Sequence, residues 1–210
     1  MTLRTHRLTL PLRRAEVAEL RAGDLVMLSG EIVITAGLPT HERLREAAAG
    51  TRELPFALAG GTLFHLGSYS EDGADGFEVR YMNPTTSTRF NRFMPDLIRA
   101  LDLRLVGGKG GLDDASAEAM RETGCAYLSF LGGGCQLLSA AITSVVAVGW
   151  DDLIAHYRLV KLRVNELGPL TVAIDCHGGS LYRTLRDGAA AKLPELMAML
   201  ARDRATAPRG

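Results

Sequence analysis

The sequence predicts a mixed α/β fold, and two patterns indicate it. In the second half of the chain, strand-like and helix-like segments alternate, as in LRLVGG (103–108), DDASAEAMRETG (113–124) and CAYLSFLG (125–132). This alternation is typical of parallel strands joined by right-handed helical crossovers. In the first half, TLFHLG (62–67) and FEVRYM (77–82) flank an acidic, glycine-rich turn, which predicts a pair of antiparallel strands. We expect a single domain over residues 1–210.

The chain opens with a predicted edge strand at RLTLPL (7–12), closed by Pro11, and a short helix at RRAEVAELRAGD (13–24). The other predicted elements follow in order: strand runs on both sides of Gly30 within 24–37, a helix over 39–50, a helix over 85–102 kinked at Pro95, a helix over 132–149 entered through a glycine run, strands over 158–164 and 170–175, and a closing helix over 190–203. From about residue 203 we expect a loose tail.

Composition and charge narrow the classes of function. The chain carries 24 Lys and Arg against 24 Asp and Glu, so no net field attracts nucleic acid or anionic lipid. Its longest apolar runs are too interrupted to span a bilayer, and the opening MTLRTHRLTL lacks the apolar core of a signal peptide. Three widely spaced cysteines without a C-x-x-C pair argue against a disulfide framework and against a metal site in this chain. We therefore expect a cytoplasmic protein.

The segment NPTTSTR (83–89) carries the first candidate site. A predicted strand ends there, and hydroxyl residues occupy the expected first turn of a helix. The first backbone N–H groups of a helix have no partner within it and attract carboxylates or phosphates. Arg89 comes four residues after Thr85, so both would share one helix face, where a guanidinium can bind a carboxylate. An ordinary Thr/Ser helix cap beside a solvated arginine fits the same spacing.

Three glycine-rich segments are further candidates. In VGGKGG (106–111), four glycines around Lys109 predict a turn with positive φ angles and inward N–H groups, although a flexible turn with an exposed lysine fits as well. LGGGC (131–135) precedes a predicted helix. IDCHGGSLY (174–182) places Asp175 and His177 just after a strand, where a histidine is more often structural than catalytic.

Together these segments resemble the β subunit, or C-terminal domain, of the iron–sulfur class I fumarase and L-tartrate dehydratase family. NPTTSTRF is similar to the family signature G-P-T-T-x-x-R-M, and GGKGG is similar to its V-G-K-G-G loop. LGGGCQLL resembles its Gly-Gly/Cys helix start, LGPLTVAIDCHGGSLY (167–182) resembles its F-G-P-L-x-V-x-I-D-x-H-G-N-x-L ending, and RAGDLVMLSGEIV (21–33) resembles its opening G-D-x-V-x-L-x-G. The resemblance covers about Leu8 to Tyr182, and chance agreement at five ordered sites is implausible.

This resemblance implies a swivelling β/β/α domain with a mixed sheet, which closes over the active site of a hydro-lyase acting on a 2-hydroxy acid or its enoate. It implies a partner α subunit that holds a 4Fe–4S cluster, a contact between two β subunits, and no cluster bound by this chain alone.

The resemblance also implies roles for individual residues. Thr85 would handle the proton, Arg89 would clamp a substrate carboxylate, and Lys109 would supply a second cation. A threonine hydroxyl is a poor base without help, so Arg89 and Lys109 would have to stabilise its deprotonated form. Further substrate contacts are expected from Thr86, Ser87 and His41, and Asp175 and His177 are weaker candidates for the site.

The sequence departs from the family where R-D-x-x-H opens the second helix. Gly37 replaces the Arg, Leu38 replaces the Asp, and His41 is kept. A family Gly-x-x-Glu segment appears as residues 154–157 without the acid, and Asn83 replaces the Gly before P-T-T. Loss of a bidentate Arg weakens dicarboxylate binding roughly a hundredfold or more, at about 1.5–3 kcal/mol for each charge-assisted hydrogen bond. We expect Gly37 and Leu38 to leave room and apolar surface, so that Gly37→Arg with Leu38→Asp restores the dicarboxylate preference.

Two functions therefore remain open. In the first, the chain is an active hydro-lyase β subunit with an altered substrate. The retained Thr85, Arg89 and Lys109 favour this function. In the second, it is a diverged stand-alone homologue that binds a small carboxylate, or a repurposed enzyme, without the iron–sulfur subunit.

Overall fold

A computed structural model describes residues 4–73 and 76–206, with nine strands and six α-helices in the described part. The strands are β1 (Thr5–Thr9), β2 (Leu25–Ile34), β3 (Thr62–Phe64), β4 (Leu66–Gly73), β5 (Gly76–Pro84), β6 (Leu105–Gly108), β7 (Ala126–Ser129), β8 (Ile142–Gly149) and β9 (Leu159–Ile174). The helices are α1 (Arg14–Val17), α2 (Leu38–Ala48), α3 (Met94–Ala100), α4 (Asp114–Thr123), α5 (Cys135–Ser139) and α6 (Leu181–Thr206). Single 3₁₀ turns cover Ser87–Phe90 and Ala155–Tyr157.

A mixed sheet of seven strands, in the order β1-β2-β3-β6-β7-β9-β8, organises the chain. The neighbours from β1 to β7 run parallel, whereas β9 is antiparallel to β7 and β8. Because β9 also pairs antiparallel with β2, the strands β2, β3, β6, β7 and β9 form a closed ring. The separate antiparallel hairpin β4–β5 projects from the end of β3. The predicted mixed α/β class is confirmed. An antiparallel hairpin forms, but its predicted first strand is wrong: residues 62–64 form β3 of the main sheet, and FEVRYM (77–82) pairs with residues 68–72 instead.

Two hydrophobic clusters lie on opposite faces of this sheet. Neighbouring residues of a strand point to opposite faces, so Phe64 and Leu128 join one cluster while Leu63 and Tyr127 join the other. The second cluster also contains buried side chains of α2, α3 and α4. The helices therefore cover one face and hold the ends of β3 and β6 in place.

Local signals place several elements as predicted. In α4, the Asp113 side chain accepts a hydrogen bond from the Ser116 N–H at 2.9 Å, and Gly124 ends the helix at φ +72°. Helix α2 falls within one residue of its predicted start, with Pro39 in its first turn. β1 is an edge strand, and α1 is shorter than predicted because only Arg14–Val17 is helical.

Four other predictions are corrected by the structure. The helix predicted over 132–149 is wrong: only Cys135–Ser139 is helical, and the β-branched run that follows forms β8 against β9. The helix predicted over 85–102 is a 3₁₀ turn followed by α3, with Pro95 in the first turn of α3 rather than at a kink. The two strands predicted over 158–164 and 170–175 are one strand, β9. The chain is helical through Thr206, past the predicted start of the tail, and residues 207–210 lie outside the described residues.

Among residues 4–73 and 76–206, none of the helices combines the length and the apolar character that crossing a lipid bilayer requires.

Candidate active site

The segment that contains Thr85 and the loop that contains Lys109 are joined by backbone hydrogen bonds. The Lys109 N–H donates to the Thr85 carbonyl at 3.0 Å, and the Ser87 N–H donates to the Lys109 carbonyl at 2.8 Å. The Thr85 N–H donates in turn to the carbonyl of His65, the residue that follows β3. Both segments therefore lie where the parallel strands β3 and β6 end, an edge where ligands commonly bind in α/β folds.

Glycines allow this close approach. A Cβ at Gly108 would lie 2.3 Å from the Ser87 Oγ, so a side chain there would separate the two segments. Gly110 has a φ of +80°, a left-handed conformation that favours glycine. The prediction of positive φ angles around Lys109 is confirmed.

A cavity of about 250 Å³ opens at this edge, and Thr85 and Lys109 both line it. Its other walls come from the 3₁₀ turn before β9, the hairpin and the end of β2: Ala36, Gly67, Tyr81, Asn83, Pro84 and His156. The Tyr81 hydroxyl and the His156 Nε2 lie 3.3 Å apart. The residues that line the cavity thus include a threonine, a lysine, a tyrosine and a histidine. A larger cavity of about 420 Å³, beside the exposed Arg163–Glu31 ion pair, contains none of the predicted site residues.

Ser87 lies behind this cavity rather than in its wall. Its side chain is fully buried, with the Oγ 2.8 Å from the His65 Nδ1 and 2.8 Å from the Tyr127 hydroxyl. Burial lowers the pKa of His65, helped by the neighbouring His41, and burial raises the pKa of Tyr127. The three side chains form a neutral hydrogen-bonded network that holds the segment carrying Thr85 against the loop carrying Lys109.

His41 also lies in the interior. Its ring stacks on Phe90 with centroids 3.9 Å apart, and its Nδ1 lies 2.7 Å from the Gly37 carbonyl. Burial lowers the pKa of His41 to about 4, and the hydrogen bond to Gly37 opposes this shift only in part. The cavity lining does not include His41, and its contact with substrate stays a prediction.

Thr86 directly precedes the 3₁₀ turn, and Arg89 is the third of its four residues. Thr86 is half-buried and pairs with Lys109 in an isolated parallel bridge, whereas Arg89 is exposed and lies outside the cavity lining. The helix start predicted at Thr85 is wrong, because only a single 3₁₀ turn forms here and the N–H groups of Thr85 and Ser87 are engaged by carbonyls. For the same reason, Thr85 and Arg89 do not share the face of a helix. Anion binding by this segment stays a prediction.

Asp175 and His177 lie at the other end of the sheet. Ile174, the last residue of β9, pairs with Tyr127 near the start of β7, whereas Lys109 follows the end of β6. The Asp175 carboxylate accepts backbone N–H groups of Ala22, His177 and Gly179 at 2.9 Å each. It therefore holds the turn before α6, and the structure does not bring it to the cavity.

The space next to Gly37 is filled rather than open. A Cβ at Gly37 would lie 2.7 Å from the Tyr157 Cβ and 2.9 Å from the Tyr157 Cα. The 3₁₀ turn at Ala155–Tyr157 is held there because the Ala36 N–H donates to the His156 carbonyl at 3.1 Å, and the Thr35 and Thr40 hydroxyls donate to the Tyr157 carbonyl. The expectation that Gly37 leaves room is wrong. Gly37 and the turn at residues 154–157 thus pack directly on each other, and His156 of that turn lines the cavity.

The sequence-based prediction missed Tyr81, His156 and His65 as parts of the site. For His156, the available signal was its position in a segment that departs from the family pattern. Tyr81 and His65 carry no local signal, because a tyrosine in a hairpin strand and a histidine after a strand are common in cores and on surfaces.

The described residues contain no group of three or more His, Cys, Asp or Glu side chains placed to hold a metal ion. Cys125 is fully buried, and burial raises the pKa of its thiol, which disfavours the thiolate that an iron–sulfur cluster requires. Cys125 therefore does not suit a cluster ligand, and the expectation that a partner subunit holds the cluster stays a prediction.

The fold and the site define a mixed α/β domain with a small-molecule cavity at one edge of its sheet. Comparison with known proteins extends this description. A sequence model of the fumarase C-terminus matches residues 2–185. The β subunit of L(+)-tartrate dehydratase from Escherichia coli is 32% identical over 174 residues, which cover 83% of this chain and 85% of that protein.

Two further relatives are named as proteins of the same kind. A putative L(+)-tartrate dehydratase β subunit from Methanocaldococcus jannaschii is 31% identical over 189 residues, which cover 90% of this chain and 96% of that protein. A putative class I fumarate hydratase from Geobacillus stearothermophilus is 28% identical over 186 residues, 88% of this chain but 35% of that longer protein. The chain belongs to the fumarase C-terminus family.

Proposed function

We propose that this chain is the β subunit of a hydro-lyase that removes water from a 2-hydroxy acid or adds it to the corresponding enoate. The observation that carries the proposal is the placement of Thr85 and Lys109 on one cavity by two interlocked backbone segments. The names of the relatives, tartrate dehydratase β subunit and class I fumarate hydratase, support the same class of reaction. The word "subunit" in those names supports an α subunit as partner, and the resemblance implies that this partner holds the 4Fe–4S cluster, which would supply Lewis-acid chemistry at the substrate hydroxyl.

In this proposal the chain supplies the proton-handling and substrate-positioning groups. The Thr85 oxygen takes the proton that leaves carbon during dehydration and returns it during hydration. The Lys109 ammonium favours the deprotonated hydroxyl electrostatically, because a nearby positive charge lowers the cost of an alkoxide. Arg89 is exposed on the following turn and binds a substrate carboxylate when the partner encloses the site. Thr86 and Ser87 hold the backbone that positions Thr85.

The proposed substrate carries a neutral hydrogen-bonding group at the end away from Arg89. Where the family has an arginine, this chain has Gly37 with Tyr157 packed on it, and the cavity wall nearby presents Tyr81 and His156. A phenol and an imidazole can bind a hydroxyl or an amide, but they do not replace the two charge-assisted bonds of a guanidinium. Fumarate, malate and tartrate are therefore expected to be poor substrates.

Co-expression with a cognate α subunit tests this proposal. The purified complex should hydrate or dehydrate a 2-hydroxy acid whose second carboxylate is replaced by an amide or hydroxyl, with a higher kcat/KM than for malate or tartrate. Lys109→Met should lower kcat on every active substrate, whereas the matched control Lys161→Met, whose ammonium lies 4.7 Å from the ring centre of Phe56, should not. Efficient turnover of fumarate would contradict the altered substrate. An inactive chain that joins no α subunit and still binds a small carboxylate through Lys109 would favour the stand-alone binding protein.

A further inference from the structure

Tyr81 and His156 form a hydrogen-bonded pair in the wall of the candidate cavity. The Tyr81 hydroxyl lies 3.3 Å from the His156 Nε2, and both residues line the cavity. Tyr81 belongs to β5, where its ring stacks on the ring of Tyr69 with centres 6.0 Å apart. His156 belongs to the 3₁₀ turn before β9, and its carbonyl accepts a hydrogen bond from the Ala36 N–H at 3.1 Å. Two separate elements therefore hold the phenol and the imidazole against each other.

The protonation of the imidazole sets the direction of this hydrogen bond. A neutral imidazole has one nitrogen that accepts a hydrogen bond, whereas a protonated imidazole donates from both nitrogens and accepts none. In the tautomer with its hydrogen on Nδ1, neutral His156 takes the hydrogen bond of the Tyr81 hydroxyl at Nε2, and the Tyr81 oxygen offers only lone pairs to the cavity. Protonated His156 donates from Nε2 to the Tyr81 oxygen, which frees the hydroxyl hydrogen for a ligand. In the other tautomer the bond already runs this way, and proton uptake adds the positive charge alone.

The two states of the pair suit different groups on a substrate. The neutral pair can bind a hydroxyl or the N–H groups of an amide. The protonated pair presents donors backed by a positive charge, and hydrogen bonds of this kind to a carboxylate are roughly twice as strong as neutral ones. The turn that carries His156 packs on Gly37, the position where the family has its arginine. Protonated His156 therefore supplies a cation close to the position from which that arginine is missing.

The groups around the His156 ring leave its positive charge for the substrate to compensate. Those that face the ring are Tyr69 and Tyr81, with ring centres 6.3 and 6.4 Å away, and Lys109 in the same cavity. Lys109 disfavours a second positive charge, and a bound carboxylate offsets this repulsion. Arg158 donates to the Leu153 carbonyl and lies over the ring of Phe77. In the part of the chain that the structure describes, no carboxylate forms an ion pair with His156, and two acidic side chains of adjoining segments are held by arginines: Asp152 by Arg43 and Glu71 by Arg80.

We propose that His156 determines substrate specificity through its charge: neutral His156 favours a substrate with a neutral distal group, and protonated His156 lets the cavity accept a second carboxylate. The imidazole takes one proton from solvent, Tyr81 keeps its own, and no other bond changes. Histidine side chains change charge between about pH 5 and 8, so dicarboxylates should become better substrates as the pH falls through this range. The inference rests on the proposed function, and it limits the poor turnover of malate and tartrate to neutral and alkaline pH.

Kinetics of the assembled α–β complex test this inference with two substrates, malate and the monoamide of malate that keeps the carboxylate beside the hydroxyl. Both carboxylates of malate stay largely ionised from about pH 6 to 8. The ratio of kcat/KM for malate to kcat/KM for the monoamide cancels the titration of groups that act on both substrates. This ratio should rise roughly fivefold from pH 8 to pH 6, because a charge-assisted bond adds about a factor of ten and a histidine is largely protonated at the lower pH.

Three variants of the chain separate the role of His156 from other effects of pH. His156→Gln should remove the rise in the ratio, because glutamine keeps a hydrogen-bonding group that does not titrate. Tyr81→Phe should reduce the rise, because the hydroxyl that donates to the carboxylate is gone. The matched control His6→Gln should keep the full rise, since His6 lies on the edge strand β1 and pairs with Asp24 at 2.9 Å.

Two outcomes would overturn the inference and leave the proposed function intact: a ratio that does not change with pH in the active parent complex, or a ratio that still rises in His156→Gln. A complex without activity on either acid would contradict the proposed function instead. Calorimetric binding of malate and of the monoamide to the same complex at pH 8 and pH 6 then makes the same comparison. An affinity ratio that is the same at both pH values would overturn the inference there.

Discussion

Adding a single methyl group at Gly37 should destabilise the protein measurably. The added Cβ would approach the Tyr157 Cβ to 2.7 Å and the Tyr157 Cα to 2.9 Å, against about 3.5–4.0 Å for an unstrained carbon contact. The overlap involves backbone that is held by hydrogen bonds from Ala36, Thr35 and Thr40, so the 3₁₀ turn cannot move away without losing them. Overpacking of this kind costs about 1–3 kcal/mol, and in a chain of this size each kcal/mol lowers Tm by about 2–4 °C.

Thermal and urea unfolding of a set of four variants measures this contact. Gly37→Ala should lower the free energy of unfolding by about 2 kcal/mol, whereas the control Gly188→Ala, where the new methyl meets open space, should not lower it. In a Tyr157→Gly background, Gly37→Ala should cost less than in the parent chain, because the contact at 2.7 Å with the Tyr157 Cβ is removed. Part of the cost should remain, because the Thr40 Oγ1 at 2.5 Å and the Cα of residue 157 at 2.9 Å still crowd the new methyl group. Strict additivity of the two changes would refute the steric coupling.

The same contact corrects an expectation about specificity. Gly37→Arg with Leu38→Asp is expected to disrupt the turn at residues 154–157 rather than to restore a dicarboxylate site. The arginine should favour malate over a neutral analogue only when Tyr157→Gly makes space for it. Kinetics of the α–β complex with both substrates would show this dependence, and a preference restored by the first two changes alone would contradict it.

Three further predictions concern the buried His41, the buried Ser87 and the binding of an iron–sulfur cluster. The pKa of His41 is about 4 in the folded chain and 6.5 ordinarily, so the unfolded chain takes up the proton first as pH falls. The free energy of unfolding should therefore decline between pH 6.5 and 4 by up to about 1.4 kcal/mol per pH unit, and His65 should add to the decline. His41→Asn should reduce this slope in urea titrations. Ser87→Ala should cost about 1–3 kcal/mol, because it removes the partner of the buried His65 Nδ1 and one of the partners of the Tyr127 hydroxyl. It should also lower kcat, while Ser87→Thr should recover part of both losses if the network positions Thr85. Anaerobic reconstitution of the isolated chain should leave no bound cluster; iron analysis that finds about four iron atoms per chain would disprove this expectation.

Several features could be predicted from the sequence because their causes are local. Asp113 caps the start of α4 and Gly124 ends it, and both effects act within one turn of the helix. The glycines around Lys109 adopt positive φ angles, a preference that depends on the residue type and not on where the loop packs. The segments of Thr85 and Lys109 were recognised as candidates from short motifs, and the structure brings them together. Other predictions failed because the deciding partner is distant in sequence. Residues 142–149 form a strand because β9 pairs with them, and their own spacing did not distinguish a strand from a buried helix.

The sequence by itself determined the fold class, the family and the two segments that carry Thr85 and Lys109, since each depends on residue type and on short-range spacing. Tertiary structure decided which side chains face the cavity. Ser87 and His41 turn into the core, where buried partners satisfy one polar atom of each, while Tyr81 and His156 come to the wall from the hairpin and from the turn before β9. It also decided that Gly37 leaves no open space, because the Tyr157 backbone, distant in sequence, packs against it. Local patterns specify backbone conformation, but the direction of a side chain and the contents of a cavity depend on long-range packing, in which few voids remain unfilled.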